Sequence, residues 1–509
     1  MHKVGNLRNV LDLTPLTFED FEREAERGNV VPVTRAVLAD LQTPLGAFLR
    51  IAGDALHAFL LESIEGGERL ARYSFIGANP WMIVRGRDNK TFVQKDGEQQ
   101  VFDQDAIAFL RDYFRGKKLA RRHGLTPFCG GAVGYLGYDA ARWFEPALSH
   151  DGSHALDSDD AAWMFFRTVL AFDRVQQQIE ITSVVFVDEA AGDRQRLRGL
   201  YDQAVQEISL IEQRLGELAQ APSSPATLGQ TTVHFQSNWP RTQFEAAVEK
   251  VKEHIAAGDC YQAVIAQKFT KPTAADRLAI YRALRATNPS PYMFFLRLGN
   301  ETIVGSSPEM LVRCHGQRLD YRPIAGTRPR GATEAEDWML GEEMRNDEKE
   351  VAEHTMLVDL GRNDLGRVSD YGSVKVEELM TVERYSHVQH LVTSLRSRLR
   401  DDLDRFDAFV SCFPAGTVTG APKIRAMQII DELEPAKRGV YAGAVLYVDY
   451  AENLDSCIAI RTIHLRDGVA TVQAGAGIVA DSVPEREYEE CVDKARALFR
   501  AIELAETGL

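Results

Sequence analysis

TVLAFDRVQQQIEITSVVF, residues 168–186, is the stretch that decides the fold class. Two runs rich in β-branched and aromatic residues flank a polar turn, the pattern of a β-hairpin. The same signature repeats outward: AFLLES (58–63), RYSFIG (72–77), WMIVRG (81–86) and TFVQKDGEQQVF (91–102) precede it. After it come YMFFLRL (292–298), TIVGSS (302–307) and YAGAVLYVDY (441–450). The β runs come as neighbouring pairs and not in βαβ alternation, so antiparallel sheets with packed helices are expected, an α+β fold.

A long amphipathic helix is expected over roughly 189–219. APSSPATLGQTT (221–232) follows it, rich in Pro, Ser and Thr, and reads as a linker or exposed loop spanning 221–239. That loop divides an N-terminal region, 1–220, from a second region, 240–509. With 509 residues, 45% of them hydrophobic, the chain can bury a large core and would ordinarily form two or more domains.

Acidic residues outnumber basic ones, 74 to 59, for a net charge of −15. No Lys/Arg run offers the footprint that a nucleic-acid backbone needs. Six scattered cysteines without a CxxC pair argue against zinc and disulfide frameworks and favour a reducing, cytoplasmic setting. The N-terminal residues are too acidic for a transit peptide and lack an apolar signal core. No apolar stretch approaches the ~20 residues of a membrane span.

Two pairs of glutamates carry the chemistry. Glu350 and Glu353 lie in EKEVAEHTMLVDL, Glu487 and Glu490 in PEREYEECVDKARAL, and both stretches have helical periodicity. A spacing of three puts each pair on one face. Four carboxylates sharing a dry site require a cation, and an all-oxygen set favours Mg²⁺ over Ca²⁺. Otherwise the pairs are solvated helix faces.

Gly416–Lys423, GTVTGAPK, lacks the spacing of a nucleotide phosphate loop. It reads as a loop opening a helix with Pro422 near the first position, either a plain cap or a seat for an anion. QAGAGIVADS holds Gly475 and Gly477, which suit either a close backbone approach to a carboxylate or a tight turn. Arg461 is expected mid-strand, requiring an anionic partner from protein or ligand. His390, among apolar neighbours, is either a core histidine or a catalyst. No G-x-S-x-G and no H-E-x-x-H occurs.

PIAGTRPRG (323–331), EKEVAEHTMLVDLGRNDLGRV (348–368), HVQHLVTSL (387–395), FPAGTVTGAPKIRAMQIIDELEP (413–435), RGVYAGAVLY (438–447) and QAGAGIVADSVPEREYEECVDKARAL (473–498) together resemble the chorismate-utilising enzymes. The resemblance implies a two-lobed α+β sandwich of antiparallel sheets. Three positions select a branch. Ala325 stands where 4-amino-4-deoxychorismate synthases resemble PIKGT, with a lysine. Gln262 stands where isochorismate and salicylate synthases have a water-activating lysine. LLES (60–63) and NPSPYMFFL (288–296) look like the tryptophan feedback site of anthranilate synthase large subunits, component I.

Similarity to that family implies conversion of chorismate and ammonia to anthranilate and pyruvate, the first committed step of tryptophan biosynthesis. It assigns Mg²⁺ to Glu353 and Glu490, with Glu350 and Glu487 ordering waters around it. Arg461, Tyr441, Gly475 and Gly477 would hold the enolpyruvyl carboxylate, with Thr417 and Lys494 nearby. Glu309 would protonate the departing hydroxyl, which requires a raised pKa. His390 would serve pyruvate release, and Gln262 would fail to activate water. Glu62, Ser63, Pro291, Tyr292 and Met293 would bind L-tryptophan. No GxCxGxQ-like nucleophile loop occurs, so ammonia is expected from a separate glutamine amidotransferase subunit in a heterotetramer.

Overall fold

The structure is a computed structural model describing residues 12–53, 55–64, 72–148, 159–217, 235–385 and 388–508. Two twelve-stranded sheets form its centre, and their ladders are antiparallel. The hairpin at 168–186 is present: Thr168–Asp173 pairs antiparallel with Gln178–Phe186.

Alternation along the strands builds a four-layer sandwich. In His57–Glu62, Phe59 enters the layer between the sheets, while Ala58 and Leu60 face the helices outside. Its partner Tyr292–Leu298 does the same, with Phe294 and Leu296 inward and Met293 and Phe295 outward. Val133, Tyr135, Met164 and Val445 of the second sheet complete the middle layer. Burial on both faces explains why these strands read as continuous apolar runs and not as alternation. Helices Pro44–Ala52, Arg194–Leu215, Arg277–Thr287, Lys423–Leu433 and Pro484–Glu506 cover the first sheet; Ala106–Phe114 and Arg405–Cys412 pack on the second.

The expected division into two regions does not produce separate bodies. The first sheet hydrogen-bonds His57–Glu62 to Tyr292–Leu298, and the second joins Gly131–Leu136 to Ala444–Asp449. Most of the expected linker, residues 221–234, lies outside the described residues; Gln236–Ser237 after it adds an edge strand to Gln262–Pro272.

Candidate functional site

The two glutamate stretches are helices, Glu348–Gly366 and Pro484–Glu506. Asp347 caps the first, accepting the N–H groups of Lys349 and Glu350. Pro484 begins the second at a position where its missing N–H is harmless. Both helices direct their first turns at one cavity of about 1260 Å³. Gln262, Glu309, Glu353, His390, Thr417, Tyr441, Arg461, Gly475, Gly477, Glu487, Glu490 and Lys494 all line it.

Glu350 is not brought to this wall. Its carboxylate pairs with Arg328 at 2.7 Å. Three residues turn a helix by 300°, so the members of each pair diverge by about 60° and need not share a ligand. Among the described residues, no three His, Cys, Asp or Glu side chains lie close enough to hold a metal together. Glu490 is paired with Lys494 at 2.7 Å. Glu353 makes no salt bridge among the described residues; burial, then the nearby Glu350 charge, raises its pKa. Burial likewise raises Glu487, against a hydrogen bond from Ser482 that lowers it.

On the opposite wall Glu309 is 6% exposed. Burial lifts its pKa to about 8, against the pull of Thr417 and Arg461. The Thr417 hydroxyl stands close enough to affect that carboxyl, yet it is buried without a hydrogen bond of normal geometry among the described residues. With Glu309 protonated, five carboxyl groups (Glu353, Asp481, Glu487, Glu490, Asp493) face three cationic side chains (Lys349, Arg461, Lys494). Oxygen donors in excess by two negative charges fit a hard divalent cation, in donor type and in charge.

His390 lies on strand Val388–Arg398. Its Nδ1 is 2.8 Å from the Gly326 carbonyl, which can only accept, so Nδ1 carries the proton in the neutral ring. Burial holds the imidazole below its ordinary pKa, leaving Nε2 as an acceptor. The carbonyl is offered by a bulge between Ala325 and Thr327, where Gly326 has φ of +65°. That left-handed turn explains the glycine of PIAGT.

Arg461 is not mid-strand as expected. It occupies a bend between Asn453–Ile458 and Thr462–Arg466 with φ of +49°, a strained conformation for a residue that carries a Cβ. Burial lowers its pKa, and it makes no salt bridge among the described residues. A half-buried guanidinium in that state is poised for an anionic ligand.

Gly475 and Gly477 lie within strand Val469–Ile478 and not in a tight turn. A Cβ on Gly477 would meet Gln262 Nε2 at 2.3 Å, and one on Gly475 would meet the Tyr441 hydroxyl at 3.0 Å. Lys494 Nζ donates to the Gly475 carbonyl at 2.9 Å. In GTVTGAPK the helix Lys423–Leu433 does open after the loop, with Pro422 immediately before it.

A second cavity, about 370 Å³, is lined by Glu62, Ser63, Pro291, Tyr292 and Met293. The pairing of Glu62 with Met293 brings the two motifs together. Glu62 is already satisfied: it accepts from the Tyr281 hydroxyl at 2.6 Å and pairs with Arg285 at 3.1 Å. The Ser63 hydroxyl, in contrast, is buried with no partner among the described residues. Pro291 lines both cavities.

Sequence reasoning missed several wall residues. Lys349, Asp481 and Ser482 line the first cavity, and Arg72, Arg313 and Asp455 the second. Arg313 left a signal, a charge inside the apolar run MLVRCH; it pairs with Asp455 at 2.7 Å.

Residues 57–500 match the family model described as chorismate binding enzyme. The chain is 46% identical over 496 residues to anthranilate synthase component 1 of Acetivibrio thermocellus, covering 96% of this chain and 98% of that protein. The corresponding protein of Pseudomonas putida is 44% identical over 497 residues, with the same coverage. The crystal structure of anthranilate synthase component I from Streptococcus pneumoniae TIGR4 superposes with a TM-score of 0.73 at 34% identity, covering 91% of this chain and 98% of that one. Fold, gathered motifs and near-full-length identity agree: the chain belongs to the chorismate-binding enzymes, within the anthranilate synthase component 1 family.

Proposed function

We propose that the chain converts chorismate and ammonia to anthranilate, pyruvate and water. The observation that carries this is the meeting, in one cavity, of a protonated carboxyl at Glu309, a neutral imidazole at His390 and a guanidinium at Arg461 with no salt bridge among the described residues. Chorismate, a dianion, must lose its C4 hydroxyl, gain nitrogen at C2 and expel the enolpyruvyl group. Arg461, beside Tyr441 and the Gly475–Gly477 strand, holds the enolpyruvyl carboxylate. Glu309 delivers its proton to the leaving C4 oxygen, which departs as water. Thr417 orients that carboxyl. His390 Nε2 accepts the C2 proton as the C3–O bond breaks and pyruvate leaves, restoring the aromatic ring. Gln262 is not a base, so water is not activated there and ammonia adds instead.

Glu353 and Glu490 would hold Mg²⁺, Glu487 supporting them. When bound, the ion would neutralise the excess negative charge, anchor the ring carboxylate and polarise the ring toward loss of the hydroxyl. Ammonia comes from a separate glutamine amidotransferase subunit in a hetero-oligomer. The second cavity takes L-tryptophan as feedback inhibitor; Ser63 offers its hydroxyl to the amino-acid end and Pro291, Tyr292 and Met293 wall the indole.

Purified protein mixed with chorismate, Mg²⁺ and an ammonium salt should generate anthranilate fluorescence. Glutamine should not replace ammonium for the single chain. Absence of fluorescence, or activity undiminished by EDTA, refutes the reaction or the metal respectively.

A further inference from the structure

Behind the wall of the first cavity, one buried charge pair ties together elements that meet there. Arg438 is 2% exposed and Glu434 8%. Arg438 Nε donates to Glu434 Oε2 at 2.9 Å and Nη2 to Oε1 at 2.6 Å. The remaining donors reach main-chain carbonyls on two separate elements, Nη1 to Val418 at 2.7 Å and Nη2 to Val264 at 2.6 Å. Glu434 accepts the Ala266 N–H at 2.8 Å, and the Arg438 carbonyl accepts from Gln473 Nε2 at 2.6 Å. The guanidinium also lies 5.8 Å from the Tyr441 ring.

Val418 follows Thr417, the residue beside Glu309. Val264 lies two positions along the strand from Gln262 and opposite Gly477. Neither Arg438 nor Glu434 lines the cavity, and the reaction as proposed uses neither. Stability alone is a poor reason for the pair, because desolvation offsets most of what a buried salt bridge gains and an apolar pair of similar volume often serves as well. An apolar pair cannot orient carbonyls. A planar fork of five donors fixes several acceptors at set angles, which a lysine cannot do.

We propose that Arg438, braced by Glu434, is a positioning residue for the reaction: it fixes the main chain at Val418 and Val264, and so sets Thr417 against Glu309 and Gln262 against Gly477. The reaction's identity rests on the function proposed above; the positioning rests on the geometry.

Arg438→Lys keeps the charge but cannot reach Glu434 and both carbonyls at once. It should fold with a lowered unfolding temperature, because buried acceptors lose a donor, while kcat falls roughly tenfold to a hundredfold and KM for chorismate moves less than about threefold. Glu309 is faced by Thr417, Arg461 and Tyr321. Thr417 lowers its pKa, so the alkaline limb of kcat should shift to higher pH in Arg438→Lys as it does in Thr417→Val, and no further in the double variant. Arg438→Met/Glu434→Leu tests the same idea without an unpaired buried charge and should fold but show the same losses. Wild-type kcat and pH profile in that folded apolar variant would overturn the proposal. If wild type makes no anthranilate, the reaction assignment has failed, and a crystal structure of Arg438→Lys decides the positioning. Displaced Val418 and Val264 carbonyls support it; unmoved ones end it.

Discussion

Glu309 makes an unusual pair of demands on one side chain. Held near pKa 8 by burial, it is protonated in the folded chain at neutral pH, while an unfolded glutamate titrates near 4.5. The folded state therefore binds the extra proton, and this contribution to stability is present below pH 4.5 and lost as pH rises through about 8. Glu309→Gln does not titrate, so its unfolding temperature relative to wild type should climb with pH up to about 8 and then level off. The same variant should lose about 10²–10⁴ in kcat. Calorimetry across pH alongside fluorescence kinetics checks both, and a flat stability difference would place the carboxyl outside the dry wall. His390→Met should still add ammonia and accumulate the aminodeoxyisochorismate intermediate, visible by chromatography. Failure of both steps with substrate binding kept would free His390 from pyruvate release. Glu309 was legible in the sequence only through the resemblance to the family. The backbone of Arg461 was not, because apolar neighbours on both sides mimic a strand, and its positive φ is imposed by the strands it connects.

At the scale of the element, the helices Glu348–Gly366 and Pro484–Glu506 were legible as helical stretches, since periodicity is local. What the spacing could not give was the destination of each carboxylate. Glu350 turns to Arg328, a partner 22 residues away in sequence on a strand whose bulge no local rule announces. Glu353→Gln or Glu490→Gln should abolish turnover with the fold intact and weaken Mg²⁺ binding by calorimetry, whereas Glu350→Gln should be the mildest of the three. Equal loss in all three would restore Glu350 to the metal. Asp347 holds both the helix start and, at 3.2 Å, Arg328. Asp347→Ala should thus cost about 1 kcal/mol of stability, the usual worth of an N-cap, read as a lower denaturation midpoint.

Across the whole molecule the two cavities share a wall at Pro291. Behind it the Ser290 and Ser306 hydroxyls lie 2.9 Å apart, Ser306 also donates to the Asn288 carbonyl, and its N–H donates to the carbonyl of Arg461 at 3.1 Å. A ligand wedged against Tyr292 and Met293 thereby reaches the backbone of the residue assigned to the substrate carboxylate. Such coupling is typically worth ~1–3 kcal/mol, so saturating tryptophan should weaken chorismate binding by roughly 5- to 150-fold. Ser63→Phe should fill the pocket and raise the half-inhibiting tryptophan concentration at least about tenfold. Identical inhibition curves would move the inhibitor elsewhere. The motifs that build this pocket were visible in sequence, but their adjacency depends on a strand pairing between distant segments.

That pairing also governs how the chain comes into being. The strand His57–Glu62 waits for Tyr292–Leu298, and even Tyr281, on the helix just before that partner and hydrogen-bonded to Glu62, stands 219 positions away. At ~5–20 residues per second a ribosome would take roughly ten to forty-five seconds to supply the partner of the first strands. Through that interval the segment around AFLLES has an open, apolar edge and nothing to close it. The nascent chain should accordingly depend on holding chaperones until its second half emerges, and a fragment ending near residue 220 should aggregate when made alone.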